Sequence, residues 1–172
     1  MARYKLHKQF RLPYYNYSST GLYFITICTK NRNPLFGNIR DGHIIPSDIG
    51  KIAIECWENI PFKSPYASVD SFVTMPDHIH GIICINNPDN DKFLKEKIFQ
   101  PAKRSLSIAV RSFKSAVTLQ SRAIYPDIDI WQKRFFDRII RNEKELNAIR
   151  TYIENNPMQW EADKNNPENI MM

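Results

Sequence analysis

No two cysteines in this 172-residue chain stand close enough to form a CxxC pair. Cys28, Cys56 and Cys84 are odd in number, widely spaced and each set among apolar residues. That argues against a structural zinc framework or a disulfide scaffold, and for reduced, buried thiols in a cytoplasmic protein. No run approaches the ~20 apolar residues of a membrane-spanning helix. The basic stretch 1–10 lacks the apolar centre of a secretory signal. Internal repeats and low-complexity blocks are absent too. Acid is in deficit: 18 Asp and Glu stand against 24 Lys and Arg, for a net charge of +6. The polar stretch 161–172 carries −2, so the body of the chain holds about +8. A body that basic points to a polyanionic partner, most simply nucleic acid.

What is present is a core. Apolar residues make up 42% of the chain, with ten Phe, eight Tyr and three Trp, enough for one folded domain over 1–160 followed by a polar tail, 161–172. A β-branched and aromatic run predicts a strand at 22–29, and Asp41-Gly42 predicts a short ribbon over 37–45. Ser47 caps a helix over 48–60, whose Ile49, Ile52, Ala53, Cys56, Trp57 and Ile60 lie on one face before Pro61 stops it. Strands follow at 68–74 and 78–85, then an unpatterned surface loop at 88–102. A helix is expected over 104–122 and a strand over 130–140. Asn142 with Glu145 opens a last helix in a capping-box-like pattern, and Pro157 is expected to end it near Asn156. The order β, α, β, β, α, β plus a final α reads as an α+β fold. It is a ferredoxin-like split βαβ sandwich, with helices on one face of an antiparallel sheet and the other face left for a ligand.

The most chemically pointed stretch is Met75-Pro76-Asp77-His78-Ile79-His80. Strand side chains at i and i+2 share a face, so His78 and His80 present two imidazoles together at a strand start, where solvent and substrate could reach a metal. Far downstream, Tyr152 lies about −60° from Ile149 at 100° per helical residue, on the edge of an apolar stripe, with Asn156 one turn on. Helix geometry alone allows two readings: a nucleophilic phenol beside a metal-directed amide, or an edge-packed tyrosine and an asparagine C-cap before proline.

The motifs taken together resemble a known family. Pro76-Asp77-His78-Ile79-His80, then Trp131-Gln132-Lys133-Arg134-Phe135-Phe136-Asp137-Arg138-Ile139-Ile140-Arg141-Asn142-Glu143, then Tyr152-Ile153-Glu154-Asn155-Asn156-Pro157 resemble the REP-associated tyrosine transposases. These belong to the HUH class of single-strand DNA transposases. Arg11-Leu12-Pro13, Tyr23-Phe24-Ile25-Thr26-Ile27-Cys28-Thr29 and Ser112-Phe113-Lys114-Ser115 look like that family's lead-in, opening strand and basic middle helix. The resemblance covers about residues 10–160. It implies that His78 and His80 bind Mg²⁺ or Mn²⁺, that Asn156 completes the metal site and that Tyr152 is the nucleophile. It also implies cleavage and rejoining of single-stranded DNA through a 5′-phosphotyrosine, at hairpin-forming repeats. Single-stranded or hairpin DNA would lie against Arg11, Arg111, Lys114, Lys133 and Arg134, with N-terminal aromatics stacking on unpaired bases. A homodimer and a monomer both fit the sequence. The competing reading is a non-catalytic ferredoxin-like module that grips hairpin DNA or RNA with its open sheet face.

Overall fold

The structure, a computed structural model, describes residues 15–87 and 104–165, with backbone alone over 163–165. Arg11 and the whole of the expected 88–102 loop lie outside the described residues. Strand β1 is Gly21–Cys28; β2, Gly37–Arg40, and β3, His43–Pro46, form a separate hairpin. Helix α1 is Asp48–Glu58, followed by a single turn, α2, at Ile60–Lys63. Strands β4, Ala67–Met75, and β5, His78–Ile85, are joined by a two-residue turn. Helix α3 is Leu106–Arg122, β6 is Phe136–Ile140 and α4 is Glu143–Asn165. The main sheet runs β4-β5-β1-β6, antiparallel throughout. That is the strand order expected of a split βαβ plan.

Alternation along the central strands decides what each face holds. Tyr23, Ile25 and Ile27 of β1, with Ile79, Ile83 and Ile85 of β5, face α1 and α3 and join Ala53, Trp57, Val110 and Phe113 in the larger core. Phe24 and Ile82 face the other way, against Ile149 and Ile153 of α4. The second face is therefore covered by α4, not left open. The apolar side of the last helix packs on this face, where Ile153 is buried to 1% exposure.

Several boundaries differ from expectation for definable reasons. Ser47 does cap α1, its side chain accepting from the Gly50 N–H at 3.0 Å, but the helix closes at Glu58 and Pro61 begins a new turn. Proline is favoured in a first turn, where its missing N–H costs nothing. The strand expected at 130–140 is cut to Phe136–Ile140. Lys133 and Arg134 lie in its lead-in, and only Trp131 makes an isolated bridge, to Thr29. Helix α4 continues through Pro157 to Asn165, so the polar stretch from Glu161 begins inside a helix and Asn156 is no C-cap. Tertiary contact carries the helix past the proline: Trp160 packs on His78, ring centroids 5.7 Å apart, and Glu161 accepts from the Gly42 N–H at 2.6 Å. All three cysteines are free, but only Cys56 is buried; Cys28 accepts from the Arg32 guanidinium at 2.8 Å.

Candidate functional site

β5 sets His78 and His80 on the α4 side of the sheet, and the rings meet with their Nε2 atoms 3.0 Å apart. β1 and the β4–β5 turn supply the next layer. Asp77 Oδ1 lies 2.6 Å from His78 Nδ1, while its Oδ2 pairs with Arg32 Nε at 2.9 Å. A carboxylate held by Arg32 acts as an acceptor, so His78 carries its proton on Nδ1 and presents the lone pair of Nε2. Thr26 stands opposite His80 in the β1–β5 register, its hydroxyl 2.8 Å from His80 Nδ1. Phe24 stacks on the His80 ring at 5.4 Å. Burial, reinforced by the charges of His78 and Arg32, pushes His80 down to about 3, so this imidazole is neutral at ordinary pH.

α4 completes the site. The Tyr152 hydroxyl lies 3.4 Å from His80 Nε2, while its side chain remains 43% exposed. Asn156 is one turn on and buried; Trp160 is one turn further and touches His78. Tyr152 and Trp160 thus bracket Asn156 along the helix face that covers the two histidines. The histidines are only 5% and 7% exposed, so the open strand start expected from the sequence is instead roofed by α4. Tyr152 is the exposed way in.

The donor set fits a divalent cation in part. Two imidazoles with Nδ1 atoms engaged by Asp77 and Thr26 leave both Nε2 atoms aimed at one point, and Asn156 can add an amide oxygen. Among the described residues no cluster of three or more His, Cys, Asp or Glu surrounds that point, so the remaining positions fall to Asn156, water or substrate oxygen.

The basic residues separate into groups. Arg111, Lys114 and Lys133 line one cavity of about 370 Å³ with Trp131 and Phe135; Arg134 is exposed but does not line it. Burial lowers Lys114 below the ordinary lysine range, and its Nζ donates to the Gln132 carbonyl at 2.6 Å. Tyr15 and Tyr17 are half-buried and pack edge-on or tilted against the buried Tyr23 ring at 6.4 and 6.0 Å; the aromatics before them lie outside the described residues. Residues that sequence reasoning did not assign to the site are Arg32, Asp77, Thr26, Phe24 and Trp160. Asp77 had a visible signal, its place beside His78. Arg32 and Trp160 had none, because a turn in left-handed backbone and a helix crossing a proline bring them there.

No family model matches the chain. Two Haemophilus influenzae proteins are similar in sequence. One, named "Uncharacterized protein", is 42% identical over 164 residues, spanning 91% of both chains. The other, named "Putative REP-associated tyrosine transposase", is 26% identical over 145 residues, 84% of this chain and 74% of that one. A solved structure of a REP-associated tyrosine transposase bound to a REP hairpin superposes with a TM-score of 0.59 at 19% identity, covering 90% of this chain and 74% of the other.

Proposed function

We propose that this chain, which belongs to one family with its 42%-identical Haemophilus influenzae relative and resembles the REP-associated tyrosine transposases in sequence and fold, is a metal-dependent transposase and endonuclease of single-stranded DNA. It cleaves and rejoins its substrate through a 5′-phosphotyrosine, at hairpin-forming repeats. The observation that carries the reading is the meeting, within one chain, of the Tyr152 hydroxyl and the His78–His80 pair, 3.4 Å from His80 Nε2. A phenol beside two imidazoles held by their own carboxylate and hydroxyl partners supports the nucleophilic reading.

His78, His80 and Asn156 would hold Mg²⁺ or Mn²⁺, which would supply positive charge to offset that developing on the scissile phosphate. Tyr152 Oη attacks phosphorus in line and gives its proton to solvent water, which in turn protonates the departing O3′. The bond from phosphorus to O3′ breaks, a bond to Oη forms, and the upstream strand departs with a free 3′-hydroxyl. A 3′-hydroxyl attacking the phosphotyrosine reverses the step, and the phosphodiester is regained without ATP. A free phenol, with a pKa near 10, is a weak nucleophile, and the two imidazoles are neutral, so the positive charge that assists the attack would come from the bound cation. Asp77, anchored by Arg32, holds the His78 ring and its tautomer; Phe24 does the same for the plane of His80.

The test is a cleavage assay on single-stranded hairpin oligonucleotides with Mg²⁺ or Mn²⁺. Wild type is expected to give a protein–DNA adduct that survives denaturing gels, and Tyr152→Phe and His78→Ala/His80→Ala are each expected to give none. Binding without an adduct, across several hairpins and both metals, would favour the non-catalytic binding module.

A further inference from the structure

On the far side of the sheet from the histidines, α3 and the lead-in to β6 line the open cavity of about 370 Å³. That volume lies in the range of small-ligand pockets, about 300–1,000 Å³. Trp131 and Phe135 supply its rings, Arg111, Lys114 and Lys133 its charge, and no acidic residue lines it. The aromatic wall is fixed. Trp131 Nε1–H donates to the Lys114 carbonyl at 3.0 Å and to Thr118 Oγ1 at 3.2 Å, and the ring packs against Phe36 and Phe113 at 5.4 and 5.8 Å. Lys114 Nζ sits over that ring, 5.7 Å from its centroid. Arg111 and Lys133 are exposed and make no ion pair with any described residue. A rigid ring wall rimmed by unpaired cations matches the face of a nucleobase and its phosphate.

The cavity also lies close to the chemistry. Cys28, at the end of β1, pairs with His78 on one side, and its carbonyl accepts from the Gln132 N–H at 3.0 Å on the other. Thr29 bridges to Trp131 and donates its own N–H to the Asp77 carbonyl at 2.9 Å. One strand end therefore separates Trp131 from Asp77 and His78, on the order of two strand spacings or ~10 Å.

We propose that this cavity seats one unpaired nucleotide of the DNA strand near the cleaved phosphate, its base against the Trp131–Phe135 wall and its phosphate between Arg111 and Lys133. The assignment rests on the single-strand DNA reading above and adds where an unpaired base is held. A strand leaving Tyr152 rounds the end of β1 and drops a base into the cavity, which fixes the register in which the phosphate meets the phenol.

The experiment measures binding, not cleavage, so that it stands apart from the catalytic reading. In a Tyr152→Phe background with chelator present, fluorescence anisotropy compares a labelled hairpin carrying a short single-stranded tail with the same hairpin made blunt. Ser115→Phe, exposed on α3 at the cavity lining, fills the space; Arg111→Ala/Lys133→Ala removes the two cations. The parent is expected to prefer the tailed hairpin, and each variant to bind it about tenfold more weakly with little change on the blunt one. Both variants retaining parental affinity for the tail would overturn the assignment. So would an equal loss on both hairpins, which marks a duplex-backbone contact, or a parent that shows no preference for the tail. Circular dichroism and melting temperature check that each variant is folded. The catalytic reading fails separately, if wild type with metal forms no adduct on the tailed hairpin it binds.

Discussion

His80 Nε2 lies between two neighbours, His78 Nε2 at 3.0 Å and the Tyr152 hydroxyl at 3.4 Å. With His78 protonated on Nδ1 toward Asp77, the short contact between the two Nε2 atoms requires the proton of His80 on Nε2, and the Thr26 hydroxyl then donates to His80 Nδ1. A cation bound as proposed would take the Nε2 lone pair of His80 and so reverse that tautomer, and the hydroxyl would turn to accept. Thr26→Val, which keeps the shape and removes the hydroxyl, is therefore expected to weaken Mn²⁺ binding by about tenfold in a calorimetric titration. Titration of His80 also sets a pH dependence. Its pKa is about 3 in the fold against about 6.5 unfolded, so the unfolded chain binds the extra proton between those values. Stability is full above pH ~6.5 and falls as pH drops toward 3, by up to ~1.4 kcal/mol per unit. Urea unfolding in chelator at stepped pH is expected to show this slope, and His80→Gln to flatten it. A slope unchanged in His80→Gln would assign the loss to other groups, such as Asp70, which Arg150 holds at about 2.

Helix α4 carries Tyr152, the proposed nucleophile, and is also the element whose extent sequence patterning misjudged. Proline in a helix interior removes one hydrogen bond and crowds the carbonyl four residues back, at a cost of about 3 kcal/mol. Here Ile153 on the sheet, Trp160 on His78 and Glu161 on the β2–β3 turn hold both halves in place. Gly42, at φ +70, permits that turn and offers its N–H to Glu161. Ile153→Ala opens the contact between helix and sheet and is expected to cost about 3 kcal/mol in urea unfolding, with a parallel loss of adduct as Tyr152 comes away from His80. In β5, Gly81 sits between the histidine strand and the Trp57 ring, which stacks on Phe72 at 5.2 Å. A Cβ there would lie inside the Trp57 ring's contact envelope. Gly81→Ala is expected to destabilise by about 3 kcal/mol and to disturb the His80 plane from the opposite face of the sheet.

At the scale of the molecule, the sheet has no open face: α1 and α3 cover one side and α4 covers the other. On the proposed reading a nucleic acid would therefore not spread across the strands but would pass the end of β1, with Tyr152 on one face of the sheet and the α3 cavity on the other. Among the described residues no helix is long and apolar enough to cross a membrane. The net charge of +6 gives the binding an electrostatic part. Each phosphate contact to a single strand adds about −0.7 to the slope of log affinity against log salt, so three or four contacts predict a slope of about −2 to −3. A slope near zero for the tailed hairpin would place the basic surplus away from the interface.

The sequence by itself determined the strand that carries His78 and His80, the α1 and α3 stripes and the Asn142 cap, because these rest on local periodicity and capping chemistry. Even there the detail was tertiary: Glu145 reaches the Arg141 N–H at 3.0 Å and Arg138 Nε at 2.7 Å rather than closing a capping box on Asn142. The motif order also carries the family resemblance. What only the tertiary structure decided is contact between distant segments. Tyr152 meets His80 across 72 residues of chain, Arg32 reaches Asp77 through two residues in left-handed backbone, and α4 runs past Pro157. Arg111, Lys114 and Lys133 gather at one cavity while Arg134 does not. None of these follows from a local rule, since each is fixed by which surfaces the packed helices and sheet leave for one another to bury.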